Sequence, residues 1–130
     1  MRILIAEDDF ASRKFMLRFL AKYGECDVTV DGMEAVDAFT MALEANEGYD
    51  LICLDIMMPV LDGYQTLKAI RDIEKDKGIP ESMQCKIIMT TALSEGRNVQ
   101  KAFELGCVAY AGKPIDQQKF ENVLKKLDLI

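Results

Sequence analysis

The stretch Asp50-Leu51-Ile52-Cys53-Leu54-Asp55 decides the fold, because a short apolar run ends there in a carboxylate. A run of this length is typical of a strand that is buried on both faces of a parallel sheet. An unpaired buried charge is costly, so an acid at the tip of such a strand indicates a functional site rather than a stabilising one. A loop-like run, Ile56-Met57-Met58-Pro59, follows Asp55 at once.

Two other apolar runs end in charged residues in the same way. Ile3-Leu4-Ile5-Ala6 leads into Glu7-Asp8-Asp9, and Val108-Ala109-Tyr110-Ala111-Gly112 leads into Lys113-Pro114. Two strands that end in acids and one that ends in a lysine indicate a site for a cation and an anion together. We predict a different role for Asp9, at the beginning of the next helix, where an acid favours the helix dipole.

Strand-like runs alternate with segments of helical periodicity along the chain. The five runs are residues 2–7, 26–30, 51–55, 85–90 and 107–111. This alternation predicts an α/β fold, a five-stranded parallel sheet doubly wound by five helices. In the flavodoxin-like strand order 2-1-3-4-5, ligands bind at the carboxyl ends of the strands, where the order reverses between strands 1 and 3. We therefore expect the charged residues at the strand ends to converge on one cleft.

The size and charge of the chain restrict its function. Its 130 residues fit one domain, residues 1–130, and we expect no output domain because no linker or repeat is present. The net charge of −6 without a basic block argues against nucleic acid as a direct partner. We find no signal-peptide core and no stretch long enough for membrane insertion, and therefore expect a cytoplasmic protein. The four separated cysteines indicate reduced core residues.

The chain contains no histidine. This excludes a histidine general base, a Ser/His or Cys/His nucleophile pair and a histidine-ligated zinc. Any metal must be a hard cation held by oxygen, and clustered carboxylates at the strand ends favour Mg²⁺. Any phosphohistidine in the chemistry must belong to a partner.

Five motifs, in order, resemble those of a response-regulator receiver domain of two-component signalling, of the stand-alone kind found in chemotaxis. The resemblance covers about residues 1 to 127. The motifs are Ile3-Leu4-Ile5-Ala6-Glu7-Asp8-Asp9, Asp50-Leu51-Ile52-Cys53-Leu54-Asp55-Ile56-Met57-Met58-Pro59, Asp62-Gly63, Thr90-Thr91-Ala92 and Lys113-Pro114.

The resemblance implies a phosphoacceptor site with a bound metal. Asp55 matches the aspartate that accepts a phosphoryl group from a sensor histidine kinase or a histidine phosphotransfer protein. Glu7 and Asp8 match the acidic pair that holds Mg²⁺, together with Asp55 and the backbone carbonyl of Met57. The resemblance therefore implies Mg²⁺ as the cofactor.

It also implies a switch at the ends of strands 4 and 5. Thr91 matches the hydroxyl residue that bonds the phosphoryl oxygens, although strand alternation allows only one of Thr90 and Thr91 to face the site. Lys113 matches the lysine that pairs with the phosphoryl group, and the bond to Pro114 is cis in the family. Tyr110 matches the aromatic switch residue. The surface of helix 4, strand 5 and helix 5 would then control a protein target, and a phosphorylation-dependent dimer is left open.

Three other functions compete with this one. A flavodoxin-like nucleotide binder would need a Gly/Ser/Thr-rich loop after strand 1, where this chain has acids. A hydrolase that forms an aspartyl-phosphate would need a second acid near Asp55, where the chain has Met57. A phosphorylation-independent interaction module would be expected to lack a site residue. We predict that the chain is not an enzyme, apart from its own phosphoryl transfer and slow autodephosphorylation. Because Met57 and Leu93 are apolar, we hypothesise a long-lived phosphoryl group.

Overall fold

Strands and helices alternate along the chain as the sequence predicts. The computed structural model describes residues 1–92 and 96–130, with the backbone alone at residues 96–98. The elements are β1 (Arg2–Ala6), α1 (Phe10–Leu20), β2 (Glu25–Thr29), α2 (Gly32–Glu44), β3 (Leu51–Asp55), α3 (Gly63–Asp76), β4 (Lys86–Thr91), α4 (Gly96–Glu104), β5 (Ala109–Gly112) and α5 (Gln117–Lys126). A short 3₁₀ turn at Glu81–Met83 precedes β4.

The five strands form one parallel sheet in the order β2-β1-β3-β4-β5. This confirms the predicted topology, including the reversal between β1 and β3. Ala6 pairs with Leu54 at that reversal, so the ends of these two strands lie side by side. The residues that follow β1 are thereby brought next to the last residue of β3, Asp55.

A hydrophobic core covers each face of the sheet, because successive strand side chains point to opposite faces. On one face, Ile5, Cys53 and Ile88 pack against helices α1 and α5. On the other, Leu54 and Met89 pack against α2, α3 and α4. Burial on both faces explains why β1 is apolar after Arg2 and β3 is apolar before Asp55.

Within the described residues, four helices begin at an aspartate that caps the first turn. The caps are Asp9, Asp31, Asp62 and Asp116, and each side chain accepts a hydrogen bond from the backbone N–H three residues later. Such a cap satisfies one of the N–H groups that a helix beginning leaves without a partner. The role predicted for Asp9 is therefore confirmed, and the neighbouring acids Glu7 and Asp8 remain available for the site.

Strand boundaries differ by one or two residues from those that apolar runs predict. β5 begins at Ala109 rather than at residue 107, because Cys107 still belongs to the connection from α4. The strand extends instead to Gly112, directly before Lys113. The peptide bond between Lys113 and Pro114 is cis. Lys113 is thus the first residue after the last strand of the sheet.

Candidate functional site

Three carboxylates meet at the carboxyl edge of the sheet. Oxygen atoms of Glu7, Asp8 and Asp55 all lie within 4.8 Å of one another. Glu7 is 2% exposed and Asp55 is 4% exposed, whereas Asp8 is open to solvent. A cluster made only of carboxylate oxygens fits a hard divalent cation such as Mg²⁺, which takes oxygen ligands and keeps several waters.

Lys113 provides the positive charge of the site. Its Nζ contacts Oε1 of Glu7 and lies 3.5 Å from Oδ2 of Asp55. The backbone N–H of Lys113 donates to the carbonyl of Thr91 at 2.8 Å, which fixes the loop after β5 against the end of β4. The structure therefore brings together four residues that the sequence placed at three strand ends: Glu7, Asp8, Asp55 and Lys113.

The beginning of α1 holds the acidic turn in place. Arg13 donates from its guanidinium to the backbone carbonyls of Glu7 at 3.0 Å and Asp8 at 3.3 Å. The backbone N–H of Asp9 donates to Oε2 of Glu7 at 3.2 Å. Our sequence interpretation missed Arg13, although a basic residue one turn into the helix after an acidic loop is a recognisable signal.

Burial and the neighbouring charges change how Asp55 ionises. Burial, reinforced by the Glu7 carboxylate, raises the pKa of Asp55 to about 7, and Lys113 only partly opposes this rise. Burial lowers the pKa of Lys113, but its contacts with Glu7 and Asp55 outweigh burial and raise that pKa above its ordinary value. Without a bound cation, folding thus disfavours the ionised form of Asp55 at neutral pH.

Because the pKa of Asp55 is raised, we expect the wild type to lose stability as the pH rises, and Asp55→Asn to lack this contribution. The folded chain binds a proton at Asp55 more tightly than the unfolded chain, whose carboxyl has a pKa near 3.8. The free energy of unfolding therefore falls because of this group as pH rises from about 4 to about 7. Solvent reaches the site at Asp8 and screens its charges, which reduces the effect. We therefore expect Asp55→Asn to be more stable than the wild type at pH 8 by roughly 2 kcal/mol.

Urea unfolding in EDTA at pH 4.5 and pH 8 measures this difference. The two proteins should be close in stability at pH 4.5, where the Asp55 carboxyl is protonated in the folded chain. A wild type that exceeds Asp55→Asn in stability at pH 8 would contradict the prediction.

The two threonines at the end of β4 lie on opposite faces of the sheet. Asp55 pairs with Thr90 in the strand register, so Thr90 shares the face of Asp55 and lines a small cavity together with Lys113. Thr91 is fully buried on the other face, which it shares with Met89 and, on β5, Tyr110. The contact between Thr91 and a phosphoryl group stays a prediction. Because Thr91 and Tyr110 lie on the same face of the sheet, a movement of one side chain can affect the packing of the other.

Three other predicted positions have less structural support. The Met57 side chain is 63% exposed beside the site, and the role of its backbone carbonyl stays a prediction. Tyr110 is half-buried against the core on the α4 side of the sheet. Leu93 lies outside the described residues, so the structure does not test the hypothesis of a long-lived phosphoryl group.

The comparisons with known proteins identify the family. Residues 3–125 match the family model described as the response regulator receiver domain. The chain belongs to this family. It is a receiver domain of two-component signalling, and the resemblance inferred from the five motifs is confirmed.

Relatives of this receiver domain support the assignment. It is 30% identical to the chemotaxis protein CheY of Treponema pallidum (strain Nichols), over 91% of this chain and 76% of that protein. It is 31% identical to the probable transcriptional regulator ycf29 of Porphyra purpurea, over 96% of this chain. The chain spans 55% of that regulator and 10% or less of the next five curated relatives. The activities and partners of these longer proteins are therefore not assigned to the chain.

Two solved structures show the same fold. A chain of the CheX–CheY–BeF₃–Mg²⁺ complex from Borrelia burgdorferi matches with a TM-score of 0.82 and 25% identity, over 98% of this receiver domain and 89% of that chain. The complex of the Saccharomyces cerevisiae histidine phosphotransfer protein Ypd1 with the receiver domain of its response regulator Ssk1 matches with a TM-score of 0.82 and 27% identity, over 97% and 87%.

The comparisons also correct one prediction. The statement that the chain is not an enzyme was wrong as made, because the family match places it among phosphoacceptor domains. In the part of the chain that the structure describes, each helix is too short or too polar to span a lipid bilayer.

Proposed function

We propose that this receiver domain is a Mg²⁺-dependent phosphoacceptor whose Asp55 takes a phosphoryl group from a phosphohistidine of a partner protein. One observation carries the proposal: the buried Asp55 carboxylate belongs to a cluster with Glu7 and Asp8, and the ammonium group of Lys113 lies 3.5 Å from it. The carboxylate cluster can bind a metal cation, and the Lys113 ammonium group can pair with an anionic phosphoryl group. The partner would be a sensor histidine kinase or a histidine phosphotransfer protein, as in the Ypd1–Ssk1 complex.

The side chains of the site suit an in-line displacement. An oxygen of the ionised Asp55 attacks phosphorus, the P–N bond of the phosphohistidine breaks, and the electron pair of that bond leaves with the imidazole. Lys113 holds positive charge beside the incoming oxygens, and we assign a hydroxyl contact to Thr91. Glu7, Asp8, Asp55 and the Met57 carbonyl would hold Mg²⁺, which when bound neutralises charge on the phosphoryl oxygens. The related CheY complex contains both Mg²⁺ and BeF₃.

Phosphorylation would then change a surface remote from Asp55. The new group carries about −1.5 to −2 charge and strong acceptor oxygens, which favour movement of Thr91 towards it. Because Thr91 and Tyr110 share a face of the sheet, such a movement changes the packing around Tyr110. We propose that the surface of α4, β5 and α5 controls a protein target in this way, in the cytoplasm.

Intact-protein mass spectrometry after incubation with acetyl phosphate tests the function. With Mg²⁺ we expect a single phosphoryl adduct, which EDTA prevents and Asp55→Ala abolishes. Asp50→Ala is a matched control, because Asp50 lies at the opposite end of β3 and accepts a hydrogen bond from the backbone of Arg2. The control should keep the adduct. An adduct on Asp55→Ala would overturn the assignment of Asp55, and no adduct on the folded wild type would favour an interaction module.

A further inference from the structure

The C-terminal end of α4 is firmly attached to the rest of the domain. Arg71 on α3 donates from Nε and from its second guanidinium nitrogen to the carbonyl of Gly106, at 3.1 and 2.7 Å. The same guanidinium donates to the carbonyl of Cys85 at 2.9 Å and pairs with Glu74 at 2.6 Å. Glu74 is almost fully buried and also accepts a hydrogen bond from the backbone N–H of Cys85 at 2.8 Å.

Gly106 is suited to this attachment. Its φ of +109° is a conformation that residues with side chains rarely adopt, and a Cβ there would lie 3.0 Å from Nε of Arg71. The backbone therefore approaches the guanidinium closely directly after α4 ends. The backbone can therefore change direction at Gly106 while its carbonyl still accepts the hydrogen bonds from Arg71.

The described side chains of α4 are mostly exposed or only partly buried. Among its described side chains, from Val99 to Glu104, Ala102 is the one that is fully buried, and Phe103 is 47% exposed. Halfway along the helix, Nζ of Lys101 lies 4.5 Å from the ring centroid of Tyr64, the second residue of α3. A cation–π contact of this kind at an exposed position contributes modestly to stability.

We propose that the Lys101–Tyr64 contact is a latch that holds α4 against α3 in the unphosphorylated domain. This inference rests on the proposed function and specifies its regulation. Release of the latch lets α4 turn about its end at Gly106, where the Arg71 contacts stay intact. Tyr64 and Tyr110 on β5 pack against the same hydrophobic core, and burial, reinforced by the nearby Tyr64 hydroxyl, raises the pKa of Tyr110. The latch thus adjoins the side chain that we assign to the switch.

The latch predicts that loss of the ammonium group favours the active state. We expect Lys101→Met to bind beryllofluoride in the presence of Mg²⁺ about two- to five-fold more tightly than the wild type, because the ligand selects the active conformation. Lys101→Arg should restore the wild-type affinity, since a guanidinium also stacks on an aromatic ring. Tyr64→Leu should act like Lys101→Met, and the double variant should bind no more tightly than either single variant. Isothermal titration calorimetry measures all five proteins.

Two results would overturn the latch. One is unchanged beryllofluoride affinity in Lys101→Met, and the other is full additivity of the two single changes, which would mean that the residues act independently. A wild type that binds no beryllofluoride despite Mg²⁺ would instead overturn the proposed function. The two failures are therefore distinguished by the wild-type titration alone.

Discussion

Arg71→Met should lower the free energy of unfolding by about 3–5 kcal/mol, because it leaves the Glu74 carboxylate buried without its cation. The Glu74 side chain is 2% exposed, and its remaining hydrogen bond comes from the backbone of Cys85. The substitution also removes the guanidinium donors from the carbonyls of Cys85 and Gly106. Urea unfolding at pH 7 measures the loss as a shift of the midpoint at constant slope.

An exposed ion pair on the same helix provides the control. Lys68 and Asp72 are paired at 2.7 Å on the solvent side of α3. Lys68→Met should cost less than about 1 kcal/mol, because exposed pairs contribute little. A double variant, Arg71→Met with Glu74→Leu, should recover part of the loss, since no uncompensated charge then remains buried. Equal costs for Arg71→Met and Lys68→Met would contradict our account of the buried pair.

Asp8→Ala should weaken Mg²⁺ binding by on the order of 100-fold, because it removes one carboxylate from a cluster of three. Glu7 is engaged by Lys113, so Asp8 is the acid of the cluster that solvent reaches most easily. Isothermal titration calorimetry with MgCl₂ measures the affinity directly. A second measurement is the melting temperature, which Mg²⁺ should raise in the wild type and leave nearly unchanged in the variant.

The next residue along the chain is a matched control. Asp9 is an exposed acid like Asp8, but its side chain caps α1 by accepting from the backbone of Ser12 at 2.9 Å. Asp9→Ala should cost about 1 kcal/mol of stability through loss of the cap and leave the Mg²⁺ affinity within a few-fold of the wild type. Equal loss of Mg²⁺ affinity in both variants would mean that general negative charge, rather than ligation by Asp8, determines binding.

The strand ends were predictable because each charged residue directly follows an apolar run. The positions of Asp55 and Lys113 at the ends of their strands followed from the apolar runs alone. The predicted strand order then placed both residues at the same edge of the sheet. The choice between Thr90 and Thr91 was harder, because a shift of one residue moves a strand side chain to the opposite face. The structure places Thr90 on the face of Asp55, which the match to a family motif did not indicate.

The attachments of α4 were not predictable from the sequence. Arg71 contacts two backbone carbonyls, and main-chain acceptors leave no signal in residue type. Lys101 and Tyr64 lie on different helices, so no local spacing relates them. Both contacts depend on how α3 and α4 pack on the sheet, which is a property of the tertiary structure.

The ion pair between Lys113 and Glu7 joins residues that are 106 positions apart in the chain. Closing so long a loop costs entropy, and non-local contacts of this kind slow folding relative to local ones. During synthesis, Asp55 leaves the ribosome long before the lysine that completes its surroundings. A nascent or truncated chain therefore holds the proposed acceptor, Asp55, without the lysine charge that should favour a phosphoryl group. Under the proposed function, the site is complete for a phosphoryl group only once β5, the last strand, has joined the sheet.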